Sequence, residues 1–300
     1  MKIAVSISVH DAYENAQLSA EIIKSNWKKK NKLFLICGLT KNNKEFRKKK
    51  IFNKIINISN PKTSYLKQFK EGKNSDISRS SRLFNSILKT GRVAITEKCD
   101  FIIYLNAGSW ILSTNKLFKL FNNLNNKIAG IRIARRDKYL IIDDHFLIIN
   151  LKKAKRINLF SQKLSNRVWN TFTVNLHNIH GMLLGWLNTI PFKNIKTYYD
   201  HSNSINHLGE KCYTFNPLHF DNENLFLHSN HKFKYLDNLK KFYLNHFLKK
   251  KSNFVLNYIG KKNKFKNIKI KDNIPVLKSR IRPKTNRYSY FKKLNIEKFI

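Results

Sequence analysis

A mostly parallel α/β sheet with helices on both faces is what this sequence predicts, and three observations carry the expectation. The chain opens on a β-rich run, Ile3-Ala4-Val5-Ser6-Ile7-Ser8-Val9. Apolar residues then recur at helical spacing at Leu18, Ile22, Ile23 and Trp27, and a second apolar run follows at Leu33 to Gly38. A strand, a helix and a strand in that order form a right-handed crossover, which pairs the strands in parallel. The third observation is Phe101-Ile102-Ile103-Tyr104-Leu105, apolar at every position, as suits a central strand covered on both sides.

The remaining elements follow in order. Residues 41–50 read as a charged connection, and Ile51 to Ile58 as a third strand or short helix before the Asn60-Pro61 turn. A helix begins near Ser75 or Asp76, either of which can cap free amides. Ser80, Phe84, Ile87, Leu88 and Gly91 line one of its faces, while Arg79 and Arg82 project elsewhere. After the 101–105 strand come Asn106-Ala107-Gly108-Ser109-Trp110 and a helical segment from Asn115 to Leu124. Residues 128–134 and 146–151 are strand candidates flanking Asp143-Asp144-His145. Residues 165–187 are expected to be helical up to a break at Pro191, and 195–231 is read as loop-rich.

Composition narrows the classes. With 300 residues, 42% of them hydrophobic, the chain can bury a sizeable core. There is no 18-residue apolar run of the sort that spans a bilayer, and no signal-peptide pattern at Met1-Lys2-Ile3-Ala4-Val5, so the expected location is cytoplasmic. Cys37, Cys99 and Cys212 are far apart and odd in number, which fits reduced structural cysteines rather than a disulfide framework or a CxxC zinc site. The formal charge of +41 favours polyanionic partners, either anionic lipid, phosphorylated substrates or nucleic acid. Compositional drift is the competing origin, because Lys, Asn and Ile are abundant throughout. The last 50 residues, 251–300, hold 15 Lys or Arg against 2 Asp or Glu and read as a basic appendage. Walker A, GxGxxG and GxSxG sequences are lacking, which argues against P-loop, Rossmann dehydrogenase and α/β-hydrolase chemistry.

The order of features over roughly residues 1–150 resembles a GT-A type glycosyltransferase, family 2-like and bacterial: the opening strand, the β-α-β unit, Gly72-Lys73-Asn74-Ser75-Asp76 leading into an Arg-bearing helix, then a hydrophobic strand ending in a short motif. The resemblance implies a GT-A, Rossmann-like, mixed and mostly parallel sheet over residues 1–245. Its nucleotide-sugar-binding half would be 1–125 and its acceptor half 126–245, with a basic tail at 246–300. It also implies transfer of a sugar from a nucleotide-sugar to a surface-polysaccharide or lipid-linked acceptor, no organic cofactor, and Mn²⁺ or Mg²⁺ held by a D-x-D motif. The tail would touch anionic membrane, making the enzyme peripheral on the inner face of the cell membrane.

The aligned triplet is Asn106-Ala107-Gly108, with no carboxylate at either end. A hard cation wants charged oxygen ligands, so the departure leaves three readings. Arg and Lys replace the metal, or other residues complete a metal site with Asn106, or the chain is an inactive relative serving as an assembly partner. Arg79 and Arg82 suit the first, since a guanidinium fork matches phosphate oxygens. His219 suits the second, because some GT-A enzymes add a late histidine. By the same resemblance Asp76, Asn106 and Gly108 would lie along the donor, with His10 and Asp11 at its base and ribose. Asp144, with Asp143 as alternate, would take the proton of the acceptor hydroxyl. A nucleic-acid-binding protein is the alternative of another class, resting on the charge and the interleaved aromatics of the tail.

Overall fold

The computed structural model describes residues 1–27, 31–48, 50–59, 76–107, 109–111, 114–136, 139–164, 166, 179–199, 215–220 and 223–229. The basic tail, Gly72 to Ser75, Gly108, His177 and Cys212 lie outside them, as do the side chains of Asp76, Asp143, His145, His180 and His219.

The expected β-α-β unit is present as β1 (Lys2–Val9), α1 (Tyr13–Asn26) and β2 (Lys32–Leu39). The charged connection contains a short helix, α2 (Lys44–Lys48), and the third segment is a strand, β3 (Lys54–Asn57). Helix α3 (Asp76–Thr96) leads into β4 (Phe101–Asn106), β5 (Ser109–Ile111), α4 (Thr114–Asn123), β6 (Ala129–Arg136) and β7 (Tyr139–Asn150). Then come α5 (Leu151–Arg156), α6 (Ile179–Leu187) and β8 (Ile195–Tyr199), and the described chain ends on β9 (Phe215–Phe220) and β10 (Glu223–Ser229).

Seven strands form one sheet in the order β3-β2-β1-β4-β7-β6-β8, and only β7 runs antiparallel to its neighbours. The mixed, mostly parallel sheet of the GT-A type is thus the architecture found. It draws strands from both sides of residue 125. Each face is covered. Alternate residues such as Ile3, Val5, Ile7, Phe101, Ile103 and Leu105 pack with α1 and α4, while Ala4, Ile36, Ile102, Leu147 and Ile149 pack with α3, α5 and α6. Cys37 and Cys99 are free and buried, and burial pushes their thiols up to about 12 and about 11. No helix among the described residues is long and apolar enough to cross a membrane.

Two expectations are corrected, and a third is described only in part. Asp143-Asp144-His145 does not join two strands but lies within β7, whose hairpin turn to β6 falls at residues 137–138. The stretch 195–231 is not simply loop-rich, since it holds β8, β9 and β10; β9 and β10 pair with β5 in a second, three-stranded sheet. The helix expected over 165–187 is described at 179–187 as α6, with 167–178 outside the described residues.

Candidate functional site

The carboxyl ends of β1, β2 and β4 lie along one edge of the sheet, because these strands are parallel and in register: Val9 stands beside Leu39, and Ser8 beside both Gly38 and Asn106. Ligands of open α/β sheets bind beyond such an edge. What reaches it is decided by how α3 docks on β1. Ser6 Oγ donates to Thr90 Oγ1 at 2.9 Å, and Ser8 Oγ donates to Ser86 Oγ at 2.9 Å. Two residues along a strand advance about 6.6 Å and four along a helix about 6 Å, so an antiparallel helix keeps pace with the strand. The next pair in that series is His10 with Arg82, and Arg79 lies one helical turn further along the same stripe.

The electrostatics agree with this register. His10 is held below its ordinary pKa first by partial desolvation of its ring and then by the positive charge of Arg82, with smaller pressure from Lys41 and Arg79; Asp11 opposes them. Arg82 is itself held below its ordinary value by desolvation and by Arg79. It is half-buried and donates from Nη1 to Ser78 Oγ at 2.7 Å, whereas Arg79 is exposed. Four of the residues nominated as donor-binding from the sequence, His10, Asp11, Arg79 and Arg82, therefore converge from two elements onto one corner.

The approach of α3 is close because Gly38 of β2 has no side chain. A Cβ there would lie 2.0 Å from Ser86 Oγ. Lower on the helix, Gly91 makes room for Phe160, whose ring would be 2.2 Å from an added Cβ and which packs at a tilt against the fully buried Trp186, 5.5 Å between centroids.

A second corner forms where β4 meets β7. Their pairing runs from Phe101 opposite Asn150 to Leu105 opposite Phe146, and Asn106 and Asp144 lie just past its end. Against β6, the register of β7 slips between Leu147 opposite Ile131 and Ile142 opposite Ile133, so residues 143–146 form a bulge. Bulges re-aim side chains, and this one leaves the half-buried Asp144 carboxylate beside the half-buried Asn106. Asn106 Nδ2 donates to Asp144 Oδ2 at 3.3 Å. An ionised carboxylate only accepts, so the amide must present its NH₂ group to it.

The metal expectation is tested by the chemistry of these donors. A Mg²⁺ or Mn²⁺ site is built from several charged oxygens. Asn106 turns a donor toward the Asp144 carboxylate, and among the described residues no group of three or more His, Cys, Asp or Glu could hold a metal. These residues do not fit a divalent cation. His219 lies on β9, an edge strand of the small sheet, with Asn224 opposite it. On β10, His228 is in register with Ser109 of β5. The sequence reading passed it over because its place depends on a pairing of residues more than 100 positions apart. Ser109 is anchored by its carbonyl, which accepts from Ser19 Oγ of α1 at 2.6 Å.

No protein-family model matches the chain, and neither does any curated protein. Several solved structures are similar to it in fold. The glycosyltransferase GlyE of Streptococcus pneumoniae TIGR4 has a TM-score of 0.48 at 15% identity, covering 87% of this chain and 64% of its own. The galactosyltransferase LgtC, in complex with donor and acceptor sugar analogs, has a TM-score of 0.44 at 16% identity, covering 65% of this chain and 73% of its own. A glycosyltransferase involved in glycosylating the major capsid of PBCV-1 has a TM-score of 0.44 at 12% identity, covering 81% of this chain and all of its own. These likenesses concern the fold alone. The sheet order and its antiparallel β7 have the mixed, mostly parallel arrangement expected of a GT-A-like fold; what the site does rests on its own residues.

Proposed function

We propose that this chain is a glycosyltransferase that moves a sugar from a nucleotide-sugar to a surface-polysaccharide or lipid-linked acceptor. The observation that supports it is the meeting, at one sheet edge, of a cationic corner and a carboxylate corner, which are the two things sugar transfer requires. The leaving nucleoside diphosphate needs positive charge, which Arg79, Arg82 and Lys41 supply. The acceptor hydroxyl needs a base. Asp144 accepts its proton as the hydroxyl oxygen bonds to the anomeric carbon and the bond from that carbon to the diphosphate oxygen breaks. Asn106 orients the carboxylate for that task through its amide. Asp143, Asp76 and Gly108 remain parts of this reading, as donor- or acceptor-side residues carried from the sequence.

The basic stretch 246–300 fits attachment to the inner face of an anionic membrane, where each Lys or Arg near the surface contributes about 1 kcal/mol. The full chain is therefore expected to sediment with vesicles containing phosphatidylglycerol and to be released by salt.

The deciding experiment incubates the full chain with UDP-, GDP- and dTDP-sugars, together with extracted glycolipids or polysaccharide as acceptors, and measures release of nucleoside diphosphate. Acceptor-dependent release from one donor is the expected result. Release from none of them, with or without Mn²⁺, would sink the proposal.

A further inference from the structure

A second concentration of cations lies at the opposite edge of the sheet from the site. Helix α5 begins where β7 ends and beside the start of β4, since the Leu151 amide donates to the Asp100 carbonyl at 2.9 Å. Four of its six residues are cations, Lys152, Lys153, Lys155 and Arg156, and Lys98 stands exposed in the turn that leads into β4. The four form no ion pair among the described residues, whereas Lys2 and Lys48 pair with Glu97 at 3.5 Å and Glu45 at 2.8 Å. Glu97 and Asp100, the acids of the adjoining turn, are both engaged by Lys2, the second through its backbone amide at 2.7 Å.

How α5 ends decides which side chains are left outside. Asn158 takes the left-handed conformation at φ 51°. The Leu159 amide then donates to the Ala154 carbonyl at 3.0 Å and the Asn158 amide to the Lys155 carbonyl at 3.1 Å. In a helix end of this kind the residue after the left-handed one packs back on the last turn, and Leu159 and Ala154 are both fully buried. Leu151, Ala154, Leu159 and Phe160 join the core. Ile157 is turned outward at 39% exposure, one of two exposed large hydrophobic residues among those described, and it directly follows the cations.

We propose that the outer surface of α5 and the turn after it form a docking face for an anionic lipid bilayer, with Lys152, Lys155 and Arg156 against headgroup phosphates and Ile157 entering among the upper acyl chains. The cations supply the attraction, and an aliphatic side chain beside them suits a surface that is anionic outside and apolar beneath. Single-stranded nucleic acid is held on aromatic platforms, and this face offers an isoleucine instead. The face is separate from the basic tail and does not depend on the transferase reading. Seated on it, the chain keeps the carboxyl ends of β1, β2 and β4 away from the bilayer.

Sedimentation of the full chain with vesicles of phosphatidylglycerol and phosphatidylcholine tests it. One variant carries Lys152→Glu, Lys155→Glu and Arg156→Glu; a control carries Lys24→Glu, Lys44→Glu and Lys54→Glu, exposed positions on α1, α2 and β3. Both lower the net charge equally, and both should keep the wild-type circular dichroism spectrum. A cation near such a surface is worth roughly fivefold in affinity, so the α5 variant should bind at least about tenfold more weakly than the control. Insertion is read separately. A tryptophan introduced by Ile157→Trp should be quenched by lipids brominated on their acyl chains, beyond the quenching of the wild type, and one introduced by Lys44→Trp should not. Equal weakening by the two triple variants would reduce the attraction to net charge, and equal quenching at the two positions would leave this face without a role; either result overturns the proposal. A loss confined to binding of single-stranded RNA, with vesicle binding untouched, also overturns it and assigns the cations to nucleic acid.

Discussion

On the β1 side of the sheet edge, the charges of Arg82, Lys41 and Arg79 bear on His10; on the β7 side the Asp144 carboxylate accepts from the Asn106 amide. The first corner is assembled by docking a helix on the sheet, the second by a slip in strand register. Under the proposed function the contrast is a division of labour, in which the cationic corner binds the donor's diphosphate and the carboxylate corner, whose geometry must be fixed beforehand, takes the acceptor's proton. Changes at the two corners should therefore separate affinity from turnover.

The largest effect is expected at Asp144. Asp144→Asn keeps the size and the contact with Asn106 but removes the base, so turnover should fall about 10²–10⁴-fold while donor affinity stays put. Steady-state release of nucleoside diphosphate and donor calorimetry read the two quantities. Asp143→Asn should cost far less; an equal loss from both would mean that the bulge does not select between them.

Arg82→Gln sharpens the other side of the comparison. Losing a charge-assisted contact of about 1.5–3 kcal/mol should weaken donor binding by about ten- to a hundredfold, with turnover at saturating donor little changed. Should turnover collapse instead while affinity holds, Arg82 acts on the leaving group only as the bond breaks, and the separation of the corners fails.

Much of the fold was legible because it is written locally. The apolar runs at 3–9, 33–38 and 101–105 and the Arg-bearing helix from residue 76 all formed where expected. Arg79 and Arg82 stood out by type, but their convergence on His10 depends on Ser6 meeting Thr90 and Ser8 meeting Ser86, which are pairings across roughly 80 residues. Serines at 6 and 8 in an otherwise apolar strand were the signal, since buried hydroxyls need partners. The bulge at 143–146 was hidden for a different reason. A polar triplet between apolar runs reads as a turn, and only pairing with β6 and β4 shows that the strand continues through it. Strands β9 and β10 were obscured by their Asn, Pro and His content, which local propensity assigns to loops.

The docking of α3 offers a structural way to disturb one corner alone. Gly91→Ala would place a methyl group against the Phe160 ring, itself pinned by Trp186, and Trp186 Nε1 donates to the Leu159 carbonyl at 2.8 Å. Overpacking of this kind costs about 1–3 kcal/mol, against a helix-propensity gain of about 1 kcal/mol, so urea denaturation should show a net loss of about 1 kcal/mol. Because α3 carries Arg79 and Arg82, donor affinity should drop as well, and the Asn106–Asp144 corner should keep its turnover at saturation.

The smallest effect concerns pH and stability without ligand. His10 is held below 6.5 in the folded chain, so as pH falls through that value the unfolded chain takes up a proton that the folded chain resists. Stability present above about pH 6.5 is then lost progressively until the folded-state pKa is passed, where the loss levels off. Since His10 is exposed, solvent screening keeps this loss shallow, smaller than that of Gly91→Ala. Thermal melts of the wild type and of His10→Gln across that window should diverge on the acid side.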